Sequence, residues 1–315
     1  MSRRERHRAG TAALHASRHG ARCAVLAGLA FVAAPQPAHA TEGGGSAYPY
    51  GLNTVATGIL PKPGHYLYNY NSFYTAKVTT TDDGDPAPVP FDVNVRAHTL
   101  RYLGVHPTAT LFGGSVGWLV AQPFLVGDAR IGPREDYDTG FADAAVGLML
   151  GWHAPNRHQL VGFDLHVPNG AYDAAALFNP GRNYWATTLY YATTVTFAGR
   201  WDANLRTNLT LNASNPDTDY HSGHEVGADG SVNVRLTPKV LLGLNGYWHR
   251  QVTDDEVRGA IVPVDGRRLR VMGYGPQLGY RGNGWGITAK WQHEDLARNK
   301  AEGDKYWLQL FFALP

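Results

Sequence analysis

The sequence predicts an all-β fold: an antiparallel transmembrane β-barrel of about 12 strands, with short periplasmic turns and long extracellular loops. Three observations predict it. Residues 202–213 alternate polar Asn204, Arg206, Asn208, Thr210 and Asn212 with Leu205, Thr207, Leu209, Leu211 and Ala213, which gives a strand one wet and one apolar face. The connections between such segments alternate long and short along the chain, as in barrels with tight periplasmic turns and extended extracellular loops. Beyond residue 40, no apolar run approaches the roughly 20 residues a spanning helix needs.

Residues 1–40 read as a secretory signal: Arg3, Arg4, Arg6, Arg8, Arg18 and Arg22, then an apolar run from Ala24 to Ala34, then Ala38-His39-Ala40. This is the layout of a cleaved export sequence. Cleavage removes six arginines and Glu5, so the net charge moves from +2 to −3, and no nucleic-acid partner is implied. The only cysteine, Cys23, leaves with the signal. Disulfides, cysteine zinc sites and thiol nucleophiles are thereby excluded. Residues 41–63 form a Gly-rich N-terminal periplasmic or lumenal segment too short to be a domain, and residues 64–315 form the barrel.

The strands are expected at 65–79, 91–106, 110–126, 139–153, 158–168, 184–198, 202–213, 222–236, 239–251, 268–280, 285–296 and 304–314. An even count puts both ends of the barrel on the periplasmic side. The second strand opposes Asp92, Asn94, Arg96 and His98 to Phe91, Val93, Val95 and Ala97. In the third and fourth, Gly113, Gly114, Gly117, Gly147 and Gly151 suit a dry part of the lumen or a plug. The fifth sets Asp164 and His166 against Val161, Phe163, Leu165 and Val167; the eighth sets Asp229, Ser231, Asn233 and Arg235 against Val232, Val234 and Leu236. Asn245 and Tyr247 in the ninth, Lys290, Gln292 and Glu294 in the eleventh and Trp307 and Phe311 in the twelfth complete the inner face. Arg268 and Arg270 stand at the loop end of the tenth. Tyr184, Trp185, Trp201, Trp248, Trp285 and Tyr306 cluster toward strand ends, as interfacial aromatics do. The chain ends with Phe312 displaced inward by Ala313-Leu314-Pro315.

A lumen so lined is expected to carry Asn94, Arg96, His98, Asp164, His166, Arg206, Asn208, Glu225, Arg235, Asn245, Tyr247, Lys290, Glu294 and Trp307. Both signs of charge occur, which suits either pore selectivity or ion-pair ladders that close the passage. Arg96, Arg206, Arg235 and Lys290 would attract an anionic group, and Tyr247, Trp307 and Phe311 would contact rings, at about 1 kcal/mol per contact. No metal or cofactor is expected: His153, His158, His221 and His224 lack ligand spacing, and loop acids such as Asp82, Asp83, Asp85, Asp217 and Asp219 belong to separate loops. Ser222 with His221, His224 and Glu225 invites an alternative reading as a lipid hydrolase, although adjacent strand residues face opposite sides. A structural or adhesive barrel is the other alternative.

The chain also resembles the meta-pathway phenol degradation family. The resemblance rests on Gly64-x-Tyr66, Asn69-Tyr70 with Phe73-Tyr74-x-Ala76, Gly140-x-x-Asp143, Gly151-Trp152-His153 and Pro168-x-Gly170-x-Tyr172-Asp173. It continues in Gly181-Arg182-Asn183-Tyr184-Trp185, Tyr220-x-Ser222-Gly223-x-Glu225, Gly246-Tyr247, Gln251, Asp254-Asp255, Gly275-Pro276, Lys290-Trp291-x-x-Glu294 and Gly303-Asp304. Asn299-Lys300 and Gly266-Arg267-Arg268 depart from its pattern. The resemblance implies an outer-membrane, transporter-like barrel in a Gram-negative bacterium, without enzymatic activity, that admits small aromatic or hydrophobic compounds while seated in outer-membrane lipid. Oligomeric state lies beyond the sequence.

Overall fold

The computed structural model describes Glu42 and residues 44–263 and 265–315; the expected signal sequence lies outside the described residues. Twelve antiparallel strands form a closed ring, and no α-helix occurs among the described residues. The strands are β1 (Gly64–Thr79), β2 (Phe91–Leu111), β3 (Gly114–Ile131), β4 in two pieces (Arg134–Phe141 and Ala144–Ala154), β5 (Arg157–Val167) and β6 (Ala186–Phe197). They continue with β7 (Trp201–Asn212), β8 (Glu225–Arg235), β9 (Val240–Gln251), β10 (Arg270–Arg281), β11 (Trp285–Arg298) and β12 (Ala301–Ala313). Each pairs with its neighbours in sequence, and β1 pairs with β12 to close the ring. Closure leaves no unpaired strand edge in lipid, where unmet backbone groups are costly.

Lengths exceed what a bilayer requires, since a tilted spanning strand needs only about 9–11 residues. β2 runs for 21 residues and β3 for 18, so this side of the barrel projects past the loop-side interface. Three connections differ from the sequence expectation. Residues 106–109 lie within β2, where the register slips between Val105 and Thr110, and the chain turns at Phe112 and Gly113 with φ of 50° and 75°. Residues 127–138 form an extended hairpin rather than a loop. At the end of β11 the chain turns tightly through Asn299 (φ 51°).

Two aromatic levels mark the bilayer. Phe73 stacks on Tyr306 at 6.3 Å, and the outward Trp291, Tyr274 and Trp248 continue that ring on the loop side. Tyr102, Phe197, Trp201, Tyr280 and Trp285 form the turn-side ring. Such rings suit membrane interfaces. Tyr184, expected at an interface, is instead buried inside the loop-side mouth. Between the rings the outer face of β7 to β10 and β12 is apolar, with Leu205, Leu209, Val232, Leu242, Leu244, Leu278 and Leu308 exposed. Leu244, 70% exposed, therefore faces hydrocarbon. Leu244→Arg is expected to destabilise the folded barrel by about 2–4 kcal/mol, the cost of a lipid-facing cation near the midplane. Reversible urea unfolding in vesicles measures it, and an unchanged midpoint would mean that this face does not meet lipid.

Candidate lumenal site

Glu42 and residues 44–63 occupy the lumen. Their path is read from contacts with successive levels of the wall. At the loop-side mouth the Glu42 carboxylate accepts hydrogen bonds from Tyr172 Oη at 2.8 Å and Asn215 Nδ2 at 2.6 Å. Burial first, then this carboxylate, pushes the Tyr172 phenol up, which keeps it a donor. Ser46 donates to Glu225, and Tyr48 to Asp229. Asp229 also accepts from the backbone N–H groups of Gly51 (2.8 Å) and Asn53 (3.1 Å). Lower down, Thr54 Oγ1 donates to Gln277 at 2.8 Å and Gly58 N to Thr194 Oγ1 at 3.0 Å. Leu60 then packs with Leu103, Leu119, Met149 and Leu160 before the chain enters β1. Gly117 and Gly151 leave room for Leu60, since a Cβ on either would meet its side chain.

The polar half of the wall, from β7 to β12, holds this segment. Lys290 Nζ donates to the carbonyls of Gly51 (2.6 Å) and Leu52 (2.8 Å) and lies 3.0 Å from Thr54 Oγ1. Gln292 Nε2 reaches the Gly51 carbonyl at 3.1 Å and Asn245 Oδ1 at 2.6 Å, while Trp307 Nε1 donates to Gln292 Oε1 at 2.9 Å. Glu294 is fully buried, accepts from Tyr247 and from Tyr74 Oη (2.7 Å), and faces Lys300 at 3.6 Å and Lys305 at 3.9 Å. Glu225 lies 2.8 Å from His249 Nε2. Arg206 pairs with Asp164 at 3.0 Å, and its guanidinium lies 4.8 Å from the Tyr48 ring centre and 3.7 Å from that of Tyr190. His166 bonds Thr188 at 3.1 Å, and Arg206 Nε donates to Asn208 Oδ1 at 2.8 Å. Most expected inner residues are thus inside the barrel and engaged in holding the segment or one another. Arg235 is half-exposed at the turn-side mouth, 3.8 Å from Asp202.

Asn94, Arg96 and His98 correct the sequence expectation: they point outward. Register decides this, because Val95 and Thr99 pair with the inward Tyr74 and Tyr70 while Arg96 and His98 pair with Phe73 and Asn71. Arg96 lies 5.5 Å from the outward Phe73 ring, His98 Nδ1 is 2.6 Å from Asn71 Oδ1, and Asn94 donates to Asp128 at 2.9 Å. The inner row is Phe91, Val93, Val95 and Ala97. Asn94 lies beyond the loop-side aromatic ring and Arg96 at its level, whereas His98, paired with Asn71, stands between the two rings.

The opposite half of the wall is therefore apolar and less filled. Val93, Val95, Ala97, Ala121 and Leu125 are inward yet only partly buried. Over their upper end, the loop 168–185 folds inward. Asp136 accepts the backbone N–H groups of Leu177 (2.7 Å) and Phe178 (3.1 Å), and Asp143 those of Gly170 (2.9 Å) and Arg182 (2.8 Å). Gly170 packs against the Gly181 backbone, leaving no room for a side chain. On the turn side a cavity of about 310 Å³ opens among Tyr68, Tyr70, Arg101, Tyr190, Gln309 and Phe311. Arg101 stands out in it. Its guanidinium lies 5.5 Å from the Tyr68 ring centre and 3.4 Å from Tyr70 Oη, its Nε has no partner, and among the described residues it makes no ion pair. Tyr190 Oη is also unpartnered. Of these cavity residues only Phe311 is expected on the inner face from the sequence, although Tyr66, Tyr68 and Tyr70 alternate as an inner row should.

Ser222 is fully buried and accepts from the Glu42 N–H at 3.2 Å. His221 Nδ1 instead lies 3.3 Å from Ser214 Oγ. Burial, then the neighbouring His221, lowers the His224 imidazole, whose Nδ1 lies 3.3 Å from the Asn212 N–H. These contacts give Ser222 a backbone donor where a nucleophile would have a general base.

The family model described as "Putative MetA-pathway of phenol degradation" matches residues 75–310. The chain belongs to this family. Within the matched range, Asp143 holds the inward loop by accepting from Gly170, and Lys290 holds the lumenal segment through Gly51. Among solved structures, the COG4313 outer membrane channel from Pseudomonas putida F1 superposes with a TM-score of 0.72 at 15% identity, covering 81% of this chain and 97% of that one. The KdgM porin gives 0.44 at 8% identity, covering 79% of this chain and 99% of that one. The transport unit of the autotransporter AIDA-I from Escherichia coli gives 0.47 at 9%, covering 81% and 91%. No curated protein matches by sequence. With its lipid-facing band and aromatic rings, this member of the phenol degradation family is an outer-membrane β-barrel.

Proposed function

We propose that the barrel is a passive channel in the outer membrane of a Gram-negative bacterium, for small aromatic or hydrophobic compounds and their acids. One observation carries the reading: the lumen is divided into a filled polar half and a partly open apolar half. The partly buried inner row of Val93, Val95 and Leu125 stands on the loop side of the cavity of Tyr68, Tyr70 and Arg101. Aromatic rings and one guanidinium without an ion pair suit a ring that bears a carboxylate or phenolate. The family name and the fold shared with an outer membrane channel support the same reading.

Purified protein in planar bilayers and liposomes tests it: single-channel events and faster entry of phenol and benzoate are expected, and silence in both would sink the transport reading in favour of a structural barrel. Arg101→Gln is expected to slow benzoate entry about fivefold relative to phenol, the equivalent of roughly 1 kcal/mol for one cation–ring and charge contact. Equal slowing of both solutes would remove Arg101 from recognition.

A further inference from the structure

Three arginines stand in one row on the outer surface, just beyond the loop-side aromatic ring. Arg250 at the end of β9 pairs in register with Arg270 of β10, and Arg270 pairs with Arg298 of β11. Their side is the outer one, because Trp248 and Tyr274 lie on the same faces of β9 and β10, two and four residues toward the membrane. Neighbouring strands lie about 4.8 Å apart, so the row spans roughly 10 Å. Like charges placed directly opposite one another repel. A negative partner meeting the row would offset that repulsion.

The chain does not supply that charge. Arg250, Arg270 and Arg298 make no ion pair among the described residues, and the buried Nε atoms of Arg270 and Arg298 have no partner. They line a cavity of about 680 Å³ with Asp82, Asp254, Arg268 and Leu269. Asp254 is held by Arg268 through contacts of 2.7 and 3.1 Å. Asp82 accepts from Asn299 Nδ2 at 2.8 Å through its carboxylate and from Arg298 through its carbonyl at 3.2 Å. Asp295, opposite Met272, lies toward the membrane from the row.

We propose that Arg250, Arg270 and Arg298 bind the phosphate groups of a phosphorylated glycolipid in the outer leaflet. Guanidinium groups suit phosphate because their paired N–H donors match two oxygens at once. Position selects a lipid over a permeating solute: the row is outside the barrel, about 7 Å along the strand from the interfacial Trp248, at the depth of headgroups rather than in the lumen.

The full-length protein, folded in detergent, is titrated with bisphosphorylated lipid A, with the same lipid stripped of phosphate, and with inorganic phosphate. The phosphorylated lipid is expected to bind on the order of a hundredfold more tightly than the stripped one, from roughly fivefold per arginine near a charged surface. The triple variant Arg250→Gln, Arg270→Gln, Arg298→Gln should lose that preference, while Arg157→Gln, at the opposite end of the barrel, should keep it. Should the triple variant not fold, Arg250→Gln alone, at an exposed position, is expected to lower the preference about fivefold by the same reckoning. Equal binding of the two lipids, or an unaltered preference in a folded variant, overturns the proposal. Inorganic phosphate that binds as tightly as the phosphorylated lipid overturns the lipid as ligand.

Discussion

Deletion of residues 44–58 is expected to raise single-channel conductance severalfold while the barrel remains folded. The segment contributes no strand to the ring, whose twelve ladders close without it. What holds it is side-chain chemistry: Asp229 accepts Gly51 N and Asn53 N, Lys290 donates to Gly51 and Leu52, and Thr194 receives Gly58 N. Deletion exposes those wall groups to lumenal water, which can satisfy them. Burial of a polar group is costly only when water cannot replace the lost partner. The cross-section then gains the volume of a peptide strand, and ions follow it. Asp229→Ala should give a milder form of this result, with noisy openings as the middle of the segment loosens. Bilayer recordings decide the matter: unaltered conductance after deletion would mean that the ion path avoids the segment altogether.

Glu294→Ala is expected to lower the stability of the folded barrel by about 3–5 kcal/mol, the usual cost of removing one partner from a buried charge network. Glu294 joins the segment's side of the lumen to the ring itself. It faces Lys300 and Lys305, and it accepts from Tyr247, from Tyr74 and from Gly303 N at 3.2 Å. Alanine would leave two largely buried ammonium groups facing each other without a counter-charge. Glu294→Gln, which keeps an acceptor and loses the charge, should fall between. Urea titration in vesicles, followed by tryptophan fluorescence, checks both. A loss below about 1 kcal/mol, the range of an exposed ion pair, would mean that water already reaches Glu294.

Much of this barrel was legible in the primary structure. Residues 202–213 alternate cleanly because β7 is wet on one side and lipid-facing on the other, and Arg206 and Asn208 point inward as that pattern requires. The expected strands lie within a few residues of those in the ring, apart from β2 to β4. There the chain continues past the membrane, so that length no longer reports the bilayer.

The site was less legible. In β2 the alternation is as clean as in β7, yet its polar row faces outward, because a period of two is unaltered by a shift of one residue and carries no sign. Only pairing with β1, where Tyr70 and Tyr74 point inward, chooses the face. The basic row at Arg250, Arg270 and Arg298 is hidden for a related reason: the three are far apart in the chain and meet only through register.

Alternating polarity and alternating loop length are local properties, so residue order alone was enough to specify twelve strands and their closure into a membrane ring. Whether that ring encloses open water depends on groups that meet across it. Lys290 and Gly51 are separated by 239 residues, and no local pattern can report their 2.6 Å contact. The folded molecule assigns the charged wall chiefly to holding the lumenal segment, and leaves the open side to the tyrosines, the apolar row of β2 and Arg101.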